Sequence, residues 1–247
     1  MLPPDPAREP KTDPAPPLRI PRILSIVWVG PHDPPQQAID SWIAKHKGEE
    51  SWFFILWRDH NQGWVNQEQI NARAAREEWN GVADLMRYEI LYKHGGFCVD
   101  ADSECVKPLH EGPVDFLGNT TAVACYENES VRPGTVGCGF LGAPKESPFL
   151  LACVDEAAKT DPRELAWKTV GPMLVTRLAK EHPDLIKVYP ARMFNPLHYS
   201  GAKAPGSHPI YAQQYWGSTT SYNKLRKLPC QCQVCRKKVN MLYSPWG

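Results

Sequence analysis

The 247-residue sequence contains no apolar run near the ~18 residues that a membrane-crossing helix requires. It has no apolar stretch near its start either, so no secretory leader is expected and a cytoplasmic protein is the reading. Charge of one sign is also missing. The 28 Lys+Arg face 27 Asp+Glu, which excludes bulk electrostatic capture of a polyanion by the whole chain. No internal repeat is visible, so a solenoid is excluded. What is there is 42% hydrophobic residues, enough for a packed core. The length suits one α/β domain and is too short for two once the tails are removed.

With no export signal, the eight cysteines read as reduced thiols or metal ligands and not as a disulfide framework. Cys98, Cys105, Cys125, Cys138 and Cys153 are dispersed, as small buried hydrophobes are. Cys230, Cys232 and Cys235 cluster near the end.

Composition divides the chain into three. Residues 1–20 hold seven prolines and read as an extended, disordered lead-in. Residues 21–223 read as the folded domain. Residues 224–247 form a basic, cysteine-bearing tail, whose stretch 224–238 has six basic residues and no acid. The plain reading of that run is a solvated terminus. Its three thiols also make a candidate structural Zn²⁺ site lacking a fourth ligand, with His198 and His208 the nearest histidines. Zinc would pin the basic run beside Gly217-Ser218, where it could meet nucleic acid or another polyanion.

In the body, strand and helix signals alternate. Residues 22–29 (RILSIVWV) and 52–57 (WFFILW) read as buried strands. The spacing predicts helices over 36–47, 67–78, 82–94, 147–159 and 172–181. Residues 97–100, 122–126, 139–141 and 186–189 read as further strands. Gly95-Gly96 should end the helix before strand 97–100, because glycine accepts the left-handed conformation at that position. The alternation indicates an α/β fold with a mostly parallel central sheet flanked by helices.

The chemistry concentrates in residues 83–109. Asp100 and Asp102 end a short apolar strand, where open α/β sheets bind ligands. Two carboxylates there offer hard oxygens to Mn²⁺ or Mg²⁺, which would neutralise a departing diphosphate. Alone, an Asp-x-Asp triplet is also an ordinary polar turn. On the preceding helix, Asp84 and Arg87 are three apart and share a face. They make either a surface ion pair or part of the same cleft. Asp115, Glu127 and Glu129 are further carboxylates that could orient a second substrate.

These residues resemble a known family. Ala83-Asp84 and Arg87-Tyr88 on a helix, then Gly95-Gly96, Asp100-x-Asp102 and Pro108-Leu109, are similar to the core of the DXD-containing sugar transferases of family 32. That family includes fungal initiating mannosyltransferases and bacterial capsule enzymes, and the clostridial glucosylating toxins are similar over the same elements. Residues 20–30, 56–59, Thr169 to Pro172 and Gly217-Ser218 resemble its other elements in order. The resemblance implies a GT-A type, Rossmann-like nucleotide-sugar transferase domain. It implies metal-dependent transfer with retention, from a UDP- or GDP-linked sugar to a hydroxyl acceptor, by default a saccharide. Asp100, Asp102 and Arg87 would be catalytic. Trp28, Val29, Asp84, Arg87, Asp100, Gly171, Pro172 and Ser218 would bind the donor, with Trp28 against the base. Asp100 and Asp102 would hold the metal, with Gln214 or Ser218 as a third contact. The sequence departs from relatives here: Gln213-Gln214 replaces His-His, and Thr219 follows Gly217-Ser218 where they have Trp.

Alternatives stay open. One is a transferase that glycosylates hydroxymethylated bases of phage-type DNA, suggested by the tail. Another is an Asp-x-Asp phosphotransferase or nuclease, a poor fit to a motif so deep in the domain. A third is a zinc- or polyanion-binding protein with a vestigial transferase domain.

Overall fold

The computed structural model describes residues 19–48 and 51–217. Most of the proline-rich lead-in and all of the basic tail therefore lie outside the described residues, as do Ser218, Thr219, Cys230, Cys232 and Cys235. In chain order the elements are β1 (Ile23–Val27), α1 (Gln36–Lys45), β2 (Phe53–Trp57), α2 (Gln67–Ala74), α3 (Trp79–His94), β3 (Gly96–Asp100), β4 (Ser103–Cys105), β5 (Ala122–Asn128), β6 (Arg132–Ala143), α4 (Pro148–Ala158), α5 (Ala166–Thr169), α6 (Pro172–Glu181), β7 (Ile186–Tyr189) and β8 (Ala212–Gln214).

Six strands form one sheet in the order β2-β1-β3-β6-β5-β7, and β4 pairs with β8 in a separate ribbon. Five strands run the same way; β6 alone is reversed, antiparallel to β3 and β5. Sequence reading expected only a short strand over 139–141. Pro133-Gly134 and the glycines at 137, 139 and 142, residues that ordinarily weaken a strand, lie in one twelve-residue strand with register shifts against β5. The expected helix over 67–78 is shorter than read, and the one expected over 82–94 starts three residues earlier. α2 ends at Ala74, and Glu77 takes a positive φ of 56° before α3 begins.

Side chains alternate across the sheet, as period-2 strands require. Leu24, Ile26 and Phe97 face a core with Trp42, Phe140 and Phe194, while Val27 and Cys98 face the opposite core with Leu85, Tyr88 and Phe149. Trp52 is buried in the first core, as expected for a tryptophan entering a strand. The five dispersed cysteines are buried and unpaired with each other.

Two glycines make the helix-to-strand return possible. Gly95 has φ of 69°, and a Cβ there would lie 2.7 Å from the Lys145 backbone nitrogen. Gly96 has φ of 94° and lies against the Ile23 backbone. This tight passage keeps α3 over β3, with Arg87 above Asp100. Parallel pairing then sets Val27 beside Asp100, so the chain leaving β1 at Trp28 emerges next to the carboxylates.

His46, at the end of α1, is buried, and its Nε2 accepts the Leu109 N–H at 3.0 Å. Its Nδ1–H must therefore donate to the Trp42 carbonyl at 2.8 Å. Burial lowers its pKa from 6.5 to about 4. The unfolded chain thus takes up this proton first as pH falls, and stability is lost between pH 6.5 and 4. At 1.36 kcal/mol per unit, the loss is at most about 3 kcal/mol. The melting temperature of the wild type relative to His46→Phe should therefore shrink across that window. A difference independent of pH would show that His46 does not stay neutral in the fold.

Candidate functional site

Asp100 and Asp102 lie at the carboxyl edge of β3, on the floor of a cleft of about 460 Å³. Arg87 Nη2 donates to Asp100 Oδ1 at 2.5 Å. The Asp84 carboxylate lies 4.0 Å from Arg87 Nη1, so the i,i+3 pair on α3 faces the aspartates and not the surface. Arg87 itself is buried, with Asp100 as its close partner and Asp84 farther off. Burial pushes the Asp84 carboxyl up to about 7 against the opposing pull of Arg87. Asp102 is pushed up to about 6, by burial first and by the charge of Asp100 second.

Two glycines leave room for these acids. A Cβ on Gly139 of β6 would stand 2.7 Å from Asp100 Oδ2, and one on Gly171 would stand 3.0 Å from Asp84 Oδ2. Alanine at either position would push a carboxylate out of place. Pro172 opens α6 directly after Gly171 and also lines the cleft.

The β4–β8 ribbon brings in the last partner. Ser103 pairs with Gln214, which sets Gln214 Nε2 at 3.0 Å from both Asp100 Oδ2 and Asp102 Oδ1. Trp216 has a left-handed φ of 56°, and the following Gly217 N–H donates to Asp102 Oδ2. Trp28 is half-buried on the cleft wall beside Val29, its Nε1 donating to the His32 carbonyl at 2.8 Å.

The site therefore brings together Trp28, Val29, Asp84, Arg87, Asp100, Asp102, Gly171, Pro172 and Gln214. The three further carboxylates separate. Asp115 accepts the Gly118 N–H in a turn, Glu129 accepts the Ala191 N–H, and Glu127 alone lines the cleft. Asn195, Trp167 and Trp216 line it as well and carried no motif in the sequence. A larger hollow of about 1090 Å³ beside Trp57, Trp64 and His94 is lined by none of Asp84, Asp100 and Asp102. Its buried acid, Glu89, is held by the Val65 and Asn66 N–H groups. Among the described residues no cluster of three or more His, Cys, Asp or Glu is placed to hold a metal ion. No described helix is long and apolar enough to cross a membrane.

Residues 33–123 match the glycosyltransferase sugar-binding region containing the DXD motif. That stretch holds Asp84, Arg87, Asp100 and Asp102. The chain is 26% identical over 153 residues to inositol phosphoceramide mannosyltransferase 1 of Schizosaccharomyces pombe, covering 59% of this chain and 45% of that protein. It is 28% identical over 117 residues to human alpha-1,4-N-acetylglucosaminyltransferase, covering 47% of this chain and 30% of that one. The chain thus spans less than half the length of either relative. Among solved structures, the PaToxG glycosyltransferase superposes with a TM-score of 0.55 at 16% identity, over 68% of this chain and 72% of that chain. The likeness is one of fold, and the fold is that of the GT-A glycosyltransferase domains.

Proposed function

We propose, for a chain whose residues 33–123 belong to the DXD-containing glycosyltransferase sugar-binding family, that this cleft moves a hexosyl group from a UDP- or GDP-linked sugar to a saccharide hydroxyl. Transfer would proceed with retention and with Mn²⁺ or Mg²⁺. The observation that carries the reading is the bonded series Arg87–Asp100–Gln214–Asp102 on the cleft floor.

The donor set suits a hard divalent cation. Two adjacent carboxylates repel each other in a buried place, and the Gln214 amide between them presents either nitrogen or oxygen by a half-turn of its terminal torsion. Asp100, Asp102 and Gln214 would hold the ion, which would supply neutralisation of the diphosphate charge. Arg87 keeps Asp100 fixed and lends positive charge to the same floor. Trp28 offers a ring face to the base. Asp84, near neutral by its raised pKa, can give or take a hydrogen bond with a donor hydroxyl.

The bond between the anomeric carbon and the phosphate oxygen breaks as the acceptor oxygen bonds on the same face. The acceptor proton passes to a donor phosphate oxygen, so no carboxylate base is needed. The DNA-base alternative rests on residues 224–238, outside the described residues, and nothing in the cleft favours it.

The test uses the full chain, Mn²⁺ and a panel of UDP- and GDP-hexoses. Release of nucleoside diphosphate without acceptor, faster transfer with saccharides and arrest by EDTA are expected. No release and no nucleoside diphosphate binding with either nucleotide would overturn the reading.

A further inference from the structure

Beyond the Asp pair, Glu127, Trp167 and Trp216 line the cleft, and behind them stands a single arginine. Arg132, at the start of β6, donates from Nη1 to Glu127 Oε2 at 2.8 Å and from Nη2 to the Tyr199 hydroxyl at 3.0 Å. Its guanidinium lies 5.2 Å from the Trp167 ring centroid and 5.7 Å from that of Tyr199. Trp216 meets Tyr199 edge-on at 5.7 Å. Two rings from separate parts of the chain thus flank one cation, and a third, Trp216, packs against the second of them.

Loop packing alone would explain an arginine between rings. It does not explain Glu127. This side chain is only 5% exposed, yet its Oε1 accepts no hydrogen bond from any described residue and is not among the enclosed, unpartnered atoms. Glu127 also lines the cleft. A buried carboxylate on the cleft lining, with one oxygen fixed by arginine, has a second oxygen free to receive a donor hydrogen. Beside it Trp167 and Tyr199 are 37% and 43% exposed.

Strand order says what would reach it. Along the sheet edge come β1 with Trp28 after it, β3 with Asp100, β6 with Gly137 and Gly139, then β5 with Glu127. A Cβ on Gly137 would have no neighbour nearer than 3.7 Å, so the floor between Asp100 and Glu127 is low. A nucleotide on the Trp28 side, with its diphosphate at the aspartates, would leave its sugar over these glycines. The attacking hydroxyl must then come from the Glu127 side.

We infer that Glu127, Arg132, Trp167, Tyr199 and Trp216 form the acceptor subsite, and that its ligand is a neutral pyranose. The sugar's C–H face would lie on an indole and its hydroxyls would donate to Glu127. This inference rests on the transferase reading for the direction of approach, while the saccharide contact stands on the wall itself.

The experiment uses the full chain without donor, titrated with methyl hexopyranosides of glucose, mannose, galactose and N-acetylglucosamine and followed by tryptophan fluorescence. Nucleoside diphosphate affinity with Mn²⁺ is measured separately by calorimetry. At least one glycoside should bind, and Trp167→Ala and Glu127→Gln should each weaken it about tenfold, the size of one lost ring or charged hydrogen bond. Nucleoside diphosphate affinity should change by less than about twofold, since uncoupled sites respond independently. Circular dichroism verifies that both variants fold, and Arg132→Lys, which keeps the charge and loses the planar fork, gives an independent weakening. Failure of every glycoside to bind the wild type would overturn the inference. So would equal weakening of nucleoside diphosphate binding, which would assign the wall to the donor. Glycoside binding with no nucleoside diphosphate binding would sink the transferase reading and leave a saccharide site.

Discussion

Asp102→Asn should lower sugar transfer about 10³-fold, the scale seen when one preorganised charge partner is lost, while the protein stays folded. The side chain is buried, with Gln214 Nε2 on one oxygen and the Gly217 N–H on the other. Asparagine has nearly the same volume. Its oxygen can keep the Gly217 N–H, while its nitrogen requires Gln214 to turn and give up its bond to Asp100, a cost of one hydrogen bond. Against that cost, the change removes a charge that burial and Asp100 already disfavour, so metal-free stability should not fall. What is lost is a hard anionic ligand and the charge that would draw a cation to the floor. Thermal melts should match the wild type, and Mn²⁺ affinity followed by spin resonance should drop with turnover. Wild-type turnover from this variant would remove Asp102 from any metal role.

Arg87 separates catalysis from stability through two substitutions. Arg87→Lys should cost about 10²-fold in kcat/KM, because a point charge does not reproduce the planar fork on Asp100. Arg87→Met should destabilise the fold by about 3–5 kcal/mol at pH 8, since it strands Asp84 and Asp100 without their cation. The pH dependence has a definite sign. Asp84 has its carboxyl raised to about 7 even with Arg87 present, so at pH 5 it is protonated and the missing cation matters less. The melting temperature of Arg87→Met relative to wild type should therefore recover on acidification from pH 8 to 5. A gap that widens toward acid would mean that Arg87 does not hold these carboxylates in the folded state.

The part of the cleft around Asp84, Arg87 and Asp100 was largely legible because its signals are local. The apolar stripe of α3, the Gly95-Gly96 stop and the short strand to Asp100 lie within one contiguous stretch, and short-range spacing specifies all three. The rest depends on contacts that no local pattern encodes. β4 and β8 have three residues each, too few for periodicity to register. Gln214 reads as a weak metal ligand in sequence, and its place between two aspartates follows only from pairing with Ser103. Glu127 and Glu129 are chemically equal and two positions apart. Only the β5–β6 shift and the Ala191 turn decide that one faces the cleft and the other ties a backbone N–H. The reversal of β6 was hidden by its own glycines, one of which makes space for Asp100.

The distance along the chain between Asp102 and Gln214 is 112 residues. It implies an order of assembly. When residue 102 has left the ribosome, Arg87 and both carboxylates already exist, and the parallel pairings of β1 with β2 and β3 can form around them. The amide that bridges the carboxylates arrives only after β5, β6 and β7 have been made, and it is held by a ribbon of three residue pairs. Closing so long a loop comes late in folding, because the entropy of the intervening chain is spent before the contact forms. The acidic floor is therefore an early piece of the fold, and the amide that bridges it is a late one.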